Sequence, residues 1–172
     1  MTRKDSKWTE RGLAVSGGEH IFSLRVYYED TDAAGIVYYA NYLRFAERAR
    51  TEMLRELGIE SSAMMDADGV AFAVRRCEAD YLRPARLDDR LEVRSRLLAL
   101  KGASLALEQR IVRTVDGAEI ARLVLTLACL TVSGAADESR TRTKAGQAAR
   151  IPAEIRRRLQ AAHLQVFNDP ER

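Results

Sequence analysis

One stretch of the chain carries the period of a long helix, and most of the chain beyond it carries the period of strands. Tyr42, Phe45, Ala46, Ala49, Met53 and Leu57 recur at spacings of three and four, while Arg44, Glu47, Arg48, Glu52, Arg55 and Glu56 fill the positions between. This pattern predicts an amphipathic helix with a single apolar stripe, stopped by Gly58. Upstream, Phe22, Leu24, Val26 and Tyr28 alternate with Ser23, Arg25 and Tyr27, so Ile21 to Tyr28 reads as a half-buried strand. Downstream, residues 70–82, 89–99, 104–115 and 119–132 read as four more strands, punctuated by Pro84, Lys101-Gly102 and the hairpin dipeptide Asp116-Gly117. Strand, long helix and four strands in succession call for an α+β domain, a curved antiparallel five-stranded sheet against one helix. One helix covers one face only. The segment LVLTLACLTV (123–132) is too apolar to face open water, so a homodimer or higher oligomer is expected to cover the other face.

With 172 residues the chain has the length of one domain. Residues 1–18 are polar, end in Ser16-Gly17-Gly18 and show no period, which predicts a flexible leader. Residues 19–133 hold the domain. Residues 134–172 read as a basic linker and a short terminal helix begun by Pro152. Hydrophobic residues at 47% and charged residues at 31% exclude a disordered chain. No apolar run approaches the roughly 20 residues of a membrane span and no signal-peptide core precedes the domain, so a cytoplasmic protein is expected.

Cys77 and Cys129 stand far apart in apolar segments and read as core residues. His20 and His163 have no ligand-spaced companions, so neither a metal nor a cofactor is expected. The net charge is +3, and 24 of the 28 basic residues are arginine. That balance suits an anionic partner. No nucleic-acid-binding signature accompanies it.

Chemistry concentrates in YEDTDAAGIVYYANY (28–42), where Glu29, Asp30 and Asp32 crowd into four positions ahead of the helix. Such carboxylates repel one another unless a positive element relieves them, and a helix start is one. Two readings are open. A carboxylate beside free helix amides has the parts of an acyl-transfer site, with the acid as base or nucleophile and the amides as an oxyanion hole. Alternatively, Asp30 or Asp32 caps the helix, although Gly35 stands where a capping box would place Glu or Gln. Gly35 itself allows either a backbone geometry other residues resist or the close approach of a ligand.

The run YYEDTDAAGIVYYANYLRFAERARTEMLRELG (27–58), with DYLRPARLDD (80–89) and LKGASLALEQRIV (100–112), resembles the hotdog-fold acyl-CoA thioesterases, both the 4-hydroxybenzoyl-CoA and the Tol-Pal-associated branches. The resemblance implies a long helix wrapped by the sheet, and dimers joined edge to edge that often pair into tetramers, with active sites at the dimer interface. It also implies that Asp32 is the catalytic aspartate and that the backbone amide of Tyr39 polarises the thioester carbonyl. Tyr39 is where the Tol-Pal branch commonly has histidine and the hydroxybenzoyl branch tyrosine. Another hotdog branch carries its carboxylate on the helix, which here would be Glu47, read as a solvated charge.

The implied reaction is hydrolysis of an acyl-CoA to free acid and CoA, with no metal needed because thiolate leaves readily. Gly35, Lys101 and Ser104 are the candidate substrate-binding residues, the last two beside the CoA phosphates. Arg140, Arg142 and Lys144 read as a solvated tail. The alternative is a non-catalytic hotdog subunit that binds acyl carrier protein or acyl-CoA without turnover.

Overall fold

The computed structural model describes residues 13–16, 19–132 and 145–165. Its sheet contains β1 (Leu13–Ser16), β2 (Glu19–Arg25), β3 (Val70–Tyr81), β4 (Arg90–Leu100), β5 (Ser104–Arg113) and β6 (Glu119–Thr131). They lie in the order β1-β2-β4-β5-β6-β3, every pair antiparallel. The helices are α1 (Tyr39–Glu56), α2 (Ser61–Asp68) and α3 (Ala153–Gln165). The five expected strands and the long helix are present. A sixth strand is added at the edge by residues 13–16, which the lack of a sequence period assigns to an unstructured leader; they pair with β2 from Leu13 opposite Phe22 to Ser16 opposite Glu19.

The sheet wraps α1, and the helix's apolar stripe divides the core in two. Tyr42, Phe45, Ala46 and Ala49 pack against Val26, Leu91, Val93, Ile111 and Leu123 at one end of the sheet. Met53 and Leu54 pack against Leu97, Leu105 and Leu127 at the other. Leu54 takes the buried place assigned to Leu57, because α1 ends at Glu56 and Leu57 is its C-cap. Gly58 follows with φ +71°, and its N–H bonds to the Arg55 carbonyl, so the stop signal works through the left-handed conformation.

The terminal segment is part of this core. Ile151, Ile155 and Leu159 are buried against the Met53 end of α1, Leu130 bridges Ala148, and Arg158 donates to the Gly58 carbonyl. The short terminal helix expected after Pro152 is present as α3, and the spacing of four is the signal that it joins the core. Arg140, Arg142 and Lys144 lie outside the described residues.

The outer sheet face is not the apolar surface expected. In β6, Leu123, Leu125, Leu127 and Cys129 point inward, and Arg122, Val124, Thr126 and Ala128 alternate outward. Cross-strand pairs cover that face, with Arg96 to Glu108 at 2.9 Å and Arg110 to Glu19 at 2.8 Å. The unfinished surface is instead the outer edge of β3, which pairs with no strand among the described residues and where Val74 and Tyr81 are exposed. Cys77 lies on this edge and is exposed, against expectation; Cys129 is buried.

His20 is buried on the inner face beside Ser95, with Glu56 Oε2 3.1 Å from Nε2 but not aligned as a hydrogen bond. Burial outweighs the pull of Glu52 and lowers the imidazole pKa to about 4 from 6.5. The unfolded chain therefore binds this proton more readily, so its contribution to stability is complete above pH 6.5 and is lost as pH falls toward 4. The Glu56 carboxyl, raised first by burial and then by Glu52, offsets part of the loss at the acid end. Denaturant titrations at about pH 7 and about pH 5 are expected to show wild type losing more stability than His20→Gln on acidification.

Candidate active site

The three crowded acids have separate environments. Asp30 is buried, and its Oδ2 accepts the Tyr27 N–H at 2.8 Å, closing a 3-10 turn over Tyr28–Asp30. The Asp30 carbonyl accepts the Tyr38 N–H and the Asn41 Nδ2 amide, both at 2.9 Å, which fixes the start of α1. Glu29 is exposed. Asp32 opens a tight hairpin, in which its N–H bonds to the Ile36 carbonyl, the Gly35 N–H bonds to the Asp32 carbonyl, and Thr31 bridges Val37. Its Oδ1 accepts the Ala34 N–H at 2.8 Å. Among the described residues Oδ2 has no partner, and the side chain is exposed in the single protomer.

Neither Asp30 nor Asp32 caps α1. The N-cap is Tyr38, with no side-chain cap bond and no acid in the first turn. The Asn41 N–H bonds to the Tyr38 carbonyl at 2.8 Å, so among the described residues the Tyr39 and Ala40 N–H groups keep their capacity for a ligand oxygen. Gly35 stands at φ +71°, and a methyl group added to its Cα would meet nothing within 4 Å, so within the protomer it is the backbone conformation that demands glycine.

Aromatic residues wall this helix start. Tyr39 meets Tyr81 edge-on at 6.1 Å, and Tyr81 lies 5.8 Å from Tyr42. The Tyr42 hydroxyl accepts the Ala85 N–H at 3.1 Å, and the Val37 N–H bonds to the Ala85 carbonyl, so one segment of chain anchors both helix and hairpin. Burial raises the Tyr42 pKa, opposed in part by that Ala85 bond.

The structure brings Asp32, Gly35 and Tyr39 together and leaves Lys101 and Ser104 apart from them. Ala85 ties the hairpin near the start of β4, whereas Lys101 follows the end of that 11-residue strand. At about 3.3 Å per residue the two places are roughly 30 Å apart in one protomer. The Lys101 N–H bonds to the Ser104 carbonyl, and Arg156 of α3 donates to the Lys101 carbonyl at 2.8 Å. Exposed Arg150 lies beside them, since the Ile151 N–H bonds to the Gly102 carbonyl.

The sequence reading misses a second feature. Arg50 is half-buried on α1, four residues beyond Ala46 on the edge of the apolar stripe, which is the available signal. It donates to Gln109 Oε1 at 2.8 Å, and Gln109 Nε2 reaches the Ala46 carbonyl and Ser95 Oγ. Burial lowers the Arg50 pKa. Arg50 and Glu47 line a cleft of about 320 Å³ between α1, α2 and the sheet, so Glu47, exposed as expected, also borders a cavity. Among the described residues no cluster of His, Cys, Asp or Glu could hold a metal, and no helix is long and apolar enough to cross a membrane.

The profile of the thioesterase-like superfamily matches residues 26–159. The chain belongs to this superfamily. Among its relatives, the acyl-CoA thioester hydrolase YbgC of Escherichia coli is 54% identical over 89 residues, covering 52% of this chain and 66% of that protein. The acyl-CoA thioesterase YbgC of Haemophilus influenzae is 48% identical over 92 residues, 54% of this chain and 68% of that protein. The chain thus spans about two thirds of the length of these relatives. A probable thioesterase of Bartonella henselae has a crystal structure that superposes with a TM-score of 0.66 at 32% identity, over 78% of this chain and 99% of that one. The α1-and-sheet architecture is thus the hotdog fold of this superfamily.

Separate roles for the acids give separate outcomes. Asp30→Ala, which removes the acceptor for the Tyr27 N–H, is expected to lower stability by about 1 kcal/mol in denaturant titration. Asp30→Asn, which keeps an acceptor oxygen, is expected to stay near wild type.

Proposed function

We propose that the protein hydrolyses acyl-CoA thioesters to free acid and CoA. The observation that carries this reading is the uncapped start of α1 beside the Asp32 hairpin. A thioester carbonyl directed at the Tyr39 N–H gains its hydrogen bond most strongly as negative charge develops on oxygen. Asp32, with one oxygen uncommitted, either adds to that carbonyl to give an anhydride that water opens, or removes the proton from an attacking water. In both routes the thiolate of CoA leaves and takes up a proton. The relatives named acyl-CoA thioesterases support the reading, and Asp32 and Tyr39 are its catalytic groups.

Asp32 is open to solvent in one protomer, and among the described residues no strand pairs with the outer edge of β3, which Val74 and Tyr81 flank. A second copy added along that edge would enclose the site, which makes the working unit a homodimer, with a tetramer as a further step. Gly35 shapes the hairpin. Lys101 and Ser104, with Arg150 and Arg156, form a phosphate-binding surface for CoA, and an acidic carrier protein is the other partner such a surface suits. Their distance from Asp32 means that one substrate meets both only where two protomers combine. A cytoplasmic enzyme fits this substrate.

Asp32→Asn is expected to lower kcat/KM for acyl-CoA about 10²- to 10⁴-fold with the fold intact by circular dichroism. Wild type that binds acyl-CoA or acyl carrier protein without turnover would instead favour the non-catalytic subunit. Lys101→Ala with Arg156→Ala is expected to raise KM several-fold and leave kcat nearly unchanged, and the loss should fade in high salt. Sedimentation of wild type as a monomer at assay concentration would remove the shared site.

A further inference from the structure

The cleft between α1, α2 and the sheet lies in line with the proposed site. It is lined by Leu105, Leu107 and Leu127 from the sheet, Phe72 and Val74 from β3 and Met65 from α2. Its volume of about 320 Å³ is at the lower end of small-molecule sites. Its wall on α1 runs from Glu47 to Leu54. At about 1.5 Å per residue, that wall begins about 12 Å and ends about 22 Å along the helix from Tyr39.

The surface between the two places is a trough with apolar sides. On β3, Val74, Cys77, Ala79 and Tyr81 stand opposite Leu127, Leu125, Leu123 and Ala121, so they share the inner face that looks toward α1. Tyr81 touches Tyr39 at the active-site end. Cys77 is near enough to feel Arg50 at the cleft end, and Tyr81 near enough to feel Cys77. Exposed Leu43 lies one turn beyond Tyr39 along the helix side.

We propose that this trough and cleft take the hydrocarbon tail of a medium- or long-chain fatty acyl thioester whose carbonyl lies at Tyr39. The inference rests on the thioesterase reading and names its substrate class. An acetyl group or one aromatic ring held at the Tyr39 N–H ends short of the cleft. With carbon–carbon bonds of about 1.5 Å in a zigzag, a chain of about ten carbons reaches it. Arg50 does not make the cleft a carboxylate site. Its Nη1 is committed to Gln109, Glu47 on the same wall offsets its charge, and its aliphatic stem adds to the lining. An uncharged tail is the occupant this chemistry selects.

The test uses the full chain with butanoyl-, octanoyl-, dodecanoyl- and hexadecanoyl-CoA, benzoyl-CoA, and a dodecanoyl chain carrying a terminal carboxylate. Wild-type kcat/KM is expected to be at least roughly tenfold higher for dodecanoyl- than for butanoyl-CoA, as burial of added methylenes demands. Leu107→Trp fills the floor, and Met65→Trp, at a half-exposed position on α2, narrows the end without touching the central core. Each is expected to lower the dodecanoyl value about tenfold and keep the butanoyl value within about twofold. Equal rates on butanoyl and dodecanoyl chains, a preference for benzoyl or the terminal carboxylate, or variants that slow all chains alike would overturn the proposal. Fluorescence of bound cis-parinaric acid, displaced by dodecanoic acid and lost in both variants, reads the cleft without turnover. Absent hydrolysis with retained binding would refute the thioesterase reading alone; hydrolysis of butanoyl-CoA without parinaric binding would refute the cleft alone.

Discussion

Gln109 holds the long helix to the sheet, and the rest of the structure is arranged around that seat. Its side chain is completely buried, and each of its polar atoms is used: Nε2 donates to the Ala46 carbonyl and to Ser95, and Oε1 accepts from Arg50. An amide in this position is costly unless satisfied, so it selects one register of helix against strands. Apolar contacts alone would tolerate a slide of α1 by a turn, since Ala46 and Ala49 are small and the surrounding leucines interchangeable in shape. The network removes that freedom. It thereby sets where the N-terminus of α1 emerges, which is where the unpaired amides and the Asp32 hairpin meet.

The second constraint is the segment around Ala85. It bonds to Val37 just before the helix and to Tyr42 one turn inside it. Asp30 supplies the complementary tie through its carbonyl. Together these bonds use the polar groups of the approach to α1, the Asn41 N–H bonds to the Tyr38 carbonyl, and among the described residues the Tyr39 and Ala40 N–H groups are left without protein acceptors. A helix start so thoroughly braced, and yet without a side-chain cap, keeps these donors fixed in direction. The division among the acids follows: Asp30 is buried, with Oδ2 and its carbonyl spent on structure, and Asp32 is exposed.

Much of this is legible in the residues, because periodicity reports which face of an element is buried. The helix stripe and the four later strands stand out for that reason, and the aspartate motif for its unusual density of charge. The misreadings share a cause: each depends on contacts between distant parts of the chain. LVLTLACLTV is too apolar for water only when taken as a run, whereas pairing with β5 sorts it into alternating sides. Cys77 has the neighbours of a core residue in sequence, but β3 is the sheet's edge. Helix α2 buries only Met64 in eight residues and so offers no stripe to read. The cleft is assembled from α1, α2, β3, β5 and β6, and no local pattern announces it. Lys101 and Ser104 group with Asp32 by motif, yet strand length separates them within one protomer.

The register break in β3 has a consequence for how this strand stores information. Val74 pairs with Leu127 and Arg76 with Thr126, so Arg75 is the extra residue of a bulge. The parity of the strand changes there, which turns Arg76 outward while Cys77, Ala79 and Tyr81 continue the inner side. Were the bulge ironed out with Arg75 kept as an ordinary paired residue, the two sides of everything beyond it would exchange, placing Glu78 and Asp80 against the helix. At this point the bulge, more than the kind of residue, decides which side chains look toward α1.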